Sequence, residues 1–144
     1  MVTKSIKQSV TFDAPAKKVY DLILDQKKHA AFTGSNVVMS KKVKGKLDIF
    51  DGYIRGYNIE LMEGEKIVQA LHFQEDGWPE DHYSICTFHF KEEGDKTQLT
   101  FTQHGIPEQN VENLKSGWKE FYWAPMKAYL KTGIKQGSHI QNAQ

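Results

Sequence analysis

Cysteine is almost missing from this chain: Cys86 is the only one in 144 residues. A lone thiol forms no intramolecular disulfide, so the fold must rest on burial and hydrogen bonding, and a reducing compartment is permitted. Charge of one sign is missing too, since 19 Lys and Arg face 18 Asp and Glu for a net charge of +1. No global field therefore favours nucleic acid or an anionic membrane as a partner. No apolar run approaches membrane-spanning length, and Met1 to Ser9 is polar, without the apolar core of a secretory signal. The expectation is a soluble, cytoplasmic protein.

Catalytic patterns are also lacking. The six histidines (His29, His72, His82, His89, His104 and His139) include no His-Glu-x-x-His motif and no helical pair four apart. Most of them read as surface strand residues rather than ligands, and the sequence indicates no three ligands converging for a metal. Cys86 has no basic neighbour to lower its pKa, and its apolar strand suits a small buried hydrophobe. Ser84 and Ser116 sit in no nucleophile elbow, and no glycine loop before a helix cradles phosphate. Asp76, Glu80 and Asp81 share a loop, where solvated turn residues are ordinary. These absences argue against an enzyme and against a bound cofactor.

What the chain does carry is pattern. Its length suits one domain with a real core, expected over residues 1–131, with a tail over 132–144 that lacks apolar periodicity. Residues 4–12 alternate as a strand with Ile6, Val10 and Phe12 on one face. Pro15 suits the first turn of a helix, and Val19, Leu22 and Ile23 give it an apolar stripe. Lys27 to Phe32 reads as a second short helix, closed by Thr33-Gly34-Ser35-Asn36.

Strands follow at Val37–Met39, Leu47–Phe50, Tyr53–Met62, Lys66–Phe73, Tyr83–Phe90 and Thr97–Gln103. Asp51-Gly52 marks a hairpin, and Gly56 a bulge or a close approach. Tight turns at this spacing predict an antiparallel sheet, and helices segregated to the ends predict an α+β fold. His104 to Pro107 reads as a turn leading into one long amphipathic helix. Leu114, Trp118, Tyr122, Pro125 and Tyr129 share a face of that helix. Pro125 should interrupt it, and Trp123 lies off the stripe, either exposed or covering one end of the sheet.

Four pieces of the sequence together resemble a known family. They are Phe12-Asp13-Ala14-Pro15 with Val19-Tyr20; Asp51-Gly52 with Gly56 and Ile59-Glu60-Leu61; Phe73 with Trp78-Pro79-Glu80 and His82; and Gly105-Ile106-Pro107 with Gly117-Trp118 and Tyr122. In this order they resemble the START-like, helix-grip superfamily of the birch-pollen allergens. Within it they look most like the carboxy-terminal domain of the activator of heat shock protein 90 ATPase, over about Ser9 to Lys131. The resemblance implies a curved antiparallel sheet of six or seven strands wrapped around the terminal helix and enclosing a cavity. The eukaryotic activators also carry an amino-terminal domain that these residues do not include.

Two candidate sites follow. Phe73, Trp78, Phe101, Gln103, Trp118 and Tyr122 read either as plain core or as the wall of a pocket for a small hydrophobic or amphipathic ligand. Gln103 and the Tyr122 hydroxyl would then orient the ligand. Lys41, Lys42, Lys44 and Lys46, set around Gly45, read either as a solvated hairpin tip or as a docking edge for an acidic partner. Such a partner would fit a chaperone-linked or stress-response role.

Overall fold

The computed structural model describes residues 1–132. Strand β1 (Thr3–Phe12) leads into helices α1 (Ala16–Leu24) and α2 (Gln26–Thr33). Strands β2 (Val37–Met39), β3 (Lys46–Ile49), β4 (Ile54–Met62), β5 (Lys66–Phe73), β6 (Ser84–Glu93) and β7 (Lys96–Pro107) follow. A 3-10 turn (Glu108–Asn110), α3 (Val111–Trp118), a π-helical turn (Lys119–Trp123) and α4 (Ala124–Thr132) complete the described chain. The seven strands form one antiparallel sheet in the order β1-β7-β6-β5-β4-β3-β2. Because β1 and β2 are opposite edges, α1 and α2 carry the chain across the sheet from one edge to the other. This is the α+β helix-grip arrangement.

The period-2 pattern determines which face is buried. Ser84, Cys86, Phe88 and Phe90 of β6 alternate inward with Leu99, Phe101 and Gln103 of β7. Against them lie Val19, Leu22 and Ile23 of α1, and Leu114, Trp118, Tyr122, Trp123 and Met126 of the terminal helical segment. Gly56 is the close-approach point: a Cβ there would stand 1.8 Å from the Ala70 carbonyl oxygen of the paired strand. The register shift in β4 falls separately, between Asn58 and Glu60.

Three expectations from the sequence are corrected here. His104 to Pro107 is not a turn, because β7 continues with Ile106 paired to Lys4 and Pro107 to Thr3. Gly105, at φ +86°, absorbs the bend next to the register shift in β1. The terminal helix is not uniform either. The interruption expected at Pro125 takes the form of a π turn just before it, where the Ala124 N–H bonds to the Lys119 carbonyl. The wider turn brings both Tyr122 and Trp123 into the core, which a plain α-helical stripe would not do. Finally, Thr132 closes α4 instead of opening a tail, and the rest of the expected tail lies outside the described residues.

Candidate functional site

A mostly apolar cavity of about 370 Å³ lies between the β3–β4 turn, β4 and β5 on one side and the terminal helical segment on the other. Its sheet side is built by the β3–β4 turn, where Ile49 pairs with Ile54 and Phe50 to Tyr53 form the connection. Phe50 (φ +57°) and Asp51 (φ +53°) are both left-handed, a conformation costly for side chains with a Cβ. Hydrogen bonds hold the turn in place: Gly52 N–H to Asp48 Oδ1 at 2.7 Å, Asn36 Nδ2 to Asp51 Oδ1 at 3.0 Å, and Phe50 N–H to the Asn36 carbonyl at 3.2 Å. So fixed, the turn turns Phe50 and Tyr53 toward the cavity.

The aromatic walls touch in a closed circuit. Phe50 meets Tyr53 at 6.5 Å between centroids, Tyr53 meets Phe73 at 5.7 Å, and Phe73 meets Trp118 at 6.2 Å. Trp118 meets Tyr122 at 4.7 Å, and Tyr122 returns to Phe50 at 6.4 Å. Phe121, half-exposed at 51 %, stands against Phe50 at the mouth. From α3 come Asn113, Leu114 and Gly117. A Cβ built on Gly117 meets no atom within 4 Å, so this glycine faces open space inside a helix that would otherwise prefer a larger residue.

The polar groups of the cavity gather at Glu75, which follows β5. Glu75 Oε2 accepts hydrogen bonds from the Tyr53 hydroxyl and from Asn113 Nδ2. Burial, and then the Glu75 carboxylate, push the Tyr53 phenol up from its ordinary value, so it stays a donor.

The six residues expected to line a pocket divide evenly. Phe73, Trp118 and Tyr122 are in the wall. Phe101, Gln103 and Trp78 are not. Phe101 is buried behind Trp118, with ring centroids 4.4 Å apart. Gln103 is fully occupied within the core: Oε1 accepts from Trp118 Nε1 at 2.8 Å, and Nε2 donates to Ser84 Oγ at 2.9 Å. Trp78 packs behind Phe73 and donates Nε1 to the His82 carbonyl at 2.8 Å.

The Tyr122 hydroxyl also has a protein partner, His29 Nε2, at 2.7 Å. His29 Nδ1 lies 2.8 Å from the Ile23 carbonyl, which can only accept. Nδ1 therefore carries the proton and Nε2 accepts from Tyr122, as a neutral imidazole does. Burial lowers the His29 pKa from 6.5 to about 4.

The reading of the histidines as surface residues fails at His29 and His72, both buried. His82 is half-buried, His89 and His104 are exposed, and His139 lies outside the described residues. Cys86 is buried, and burial pushes its thiol up. Among the described residues, no group of three or more His, Cys, Asp or Glu could hold a metal, and no helix is long and apolar enough to cross a membrane.

The four lysines sit where β2 turns into β3. Lys41 pairs with Asp25 at 3.3 Å. Buried Asn58 secures the loop, donating Nδ2 to the carbonyls of Ser40 at 2.8 Å and Lys42 at 3.1 Å, and accepting from Gln69. All four lysines are exposed; Lys41, Lys42 and Lys44 lie on a loop that is tied down rather than loose, and Lys46 opens β3.

Sheet order and the gripped helical segment define a START-like, helix-grip domain. The family model described as Activator of Hsp90 ATPase homolog 1-like protein matches residues 13–131, and the chain belongs to that family. It is 27% identical over 133 residues to the human Activator of 90 kDa heat shock protein ATPase homolog 1, covering 92% of this chain and 39% of that protein. It is 32% identical over 118 residues to the Dictyostelium discoideum homolog, covering 81% of this chain and 30% of that one. The chain thus spans well under half the length of these relatives. Among solved structures, an HSP90 activator from Plasmodium falciparum is similar with a TM-score of 0.81 and 26% identity, covering 88% of this chain and 96% of that one.

Proposed function

We propose that this domain is a non-catalytic binding module whose site is the cavity framed by Phe50, Tyr53, Phe73, Trp118 and Tyr122, and that it takes a small apolar or amphipathic ligand. The observation that carries the reading is the closed aromatic circuit around open space, with Gly117 leaving room where any other residue would fill it. An aromatic wall with a few polar groups at one edge is the usual form of a small-molecule site. The absence of catalysis is supported by the inward polar groups, which are engaged with one another: His29 with Tyr122, and Gln103 with Trp118 and Ser84. A thermal-shift screen against lipids and aromatic metabolites tests the proposal. A ligand at a hundred times its Kd should stabilise the fold by about 2.7 kcal/mol. If no compound of either class shifts the transition, the cavity reading falls.

A second reading is favoured by the relatives, whose names make them activators of the 90 kDa heat shock protein. On it, the domain is a chaperone-linked accessory acting in the cytoplasm, and the lysine loop is its contact edge. Purified Hsp90 provides the test. The domain should bind it, and changing Lys42, Lys44 and Lys46 together to Glu should weaken binding at least ten-fold. Equal binding by the variant would remove the loop from the contact, and no binding by either protein would remove the reading.

A further inference from the structure

The cavity carries a charge preference as well as a shape. Its lining contains one acidic residue, Glu75, and no lysine or arginine. Glu75 forms no ion pair with a described residue. Both of its side-chain hydrogen bonds fall on Oε2, from the Tyr53 hydroxyl and Asn113 Nδ2, which orient the carboxylate and leave Oε1 to a further donor or a positive charge. Tyr53, Phe73 and Trp118 line the same cavity, and the faces of aromatic rings carry the negative side of the quadrupole. A cation set among aromatic faces and one carboxylate is attracted by both, and more so where water is displaced. An anion would meet repulsion from each.

From this we infer that the ligand of this cavity is an organic cation, an alkylammonium head on a compact apolar body, with its head at Glu75 and its body among Phe50, Trp118 and Tyr122. The inference rests on the cavity being a ligand site and adds the class of ligand.

Three probes that share one apolar chain separate the two claims: octyltrimethylammonium, 1-octanol and octyl sulfate, each titrated as monomer and followed by calorimetry. The expected order is the cation at least ten-fold tighter than the alcohol, with the sulfate weakest. Glu75→Gln keeps the acceptor for Tyr53 and Asn113 but removes the charge. It should bring octyltrimethylammonium to within about two-fold of 1-octanol, both titrated into the same variant. If the alcohol binds as tightly as the cation, or if the preference survives in Glu75→Gln, the charge inference is overturned and the cavity reading stands. If none of the three binds, both are overturned.

Discussion

At the residue scale, the buried polar atoms are the sharpest constraints. His29 is held neutral between an Ile23 carbonyl and the Tyr122 hydroxyl, with its pKa lowered to about 4. An unfolded histidine titrates near 6.5, so between these values the unfolded state binds the extra proton. The stability contribution is therefore fully present above about pH 6.5 and is lost as pH falls through that window toward about 4. The shift corresponds to about 3 kcal/mol, as an order of magnitude. Urea midpoints at pH 7.5, 6 and 5 should fall with pH, and the fall should be shallower in His29→Gln. Equal pH dependence in the two proteins would assign it to the carboxylates instead.

Gln103 offers a second test at this scale. Gln103→Leu strands Trp118 Nε1 without its acceptor, and an orphaned buried donor costs about 1–3 kcal/mol. Denaturant unfolding should show that loss, while cavity ligands bind as before, because Gln103 lies outside the wall. Loss of binding in a folded Gln103→Leu protein would contradict that placement.

At the element scale, strands and short helices were largely legible in the sequence, because period-2 and 3.6-residue patterns report burial directly. Tyr83 to Phe90 alternates cleanly and is buried as it alternates. The terminal segment was legible only in part. The stripe through Leu114, Trp118 and Tyr122 is real, but a π turn adds one residue per turn, and no periodic template anticipates Trp123 beside Tyr122 in the core. The cavity wall was harder still. Phe50 and Tyr53 are brought inward by a left-handed turn, and Asn113 and Glu75 meet across 38 residues of sequence.

Gly56 and Gly117 make opposite predictions at this scale. Gly56→Ala sets its methyl into the Ala70 carbonyl and should cost several kcal/mol, or on the order of 3 as overpacking goes. Gly117→Ala places its methyl in open space within a helix and should stabilise by about 1 kcal/mol. Thermal unfolding of the two variants checks both signs, and a destabilised Gly117→Ala would mean the space is not there.

At the scale of the whole molecule, the two edges of one sheet are joined by α1 and α2, and the terminal helical segment lies in the resulting grip. That arrangement explains why two of the five aromatic residues expected to line a pocket lie outside its wall. Phe101 and Trp78 stand one layer further out, where they hold Trp118 and Phe73 in place. The core and the cavity wall are thus successive layers of one aromatic cluster, and sequence alone distinguishes neither layer from the other. None of the four lysines lines the cavity, and Asn58 pins their loop, so the two proposed roles can be tested by separate substitutions.

The claim that the space beside Gly117 is a binding site is tested most directly by filling it. Gly117→Leu puts a side chain into the cavity from a helical position that favours leucine over glycine. Calorimetric titration of octyltrimethylammonium and 1-octanol into both proteins, with thermal unfolding of each, is the measurement. The account predicts saturable binding by the native protein, with Gly117→Leu at least as stable and its binding lost. A folded Gly117→Leu protein that still binds either probe with native affinity would contradict it.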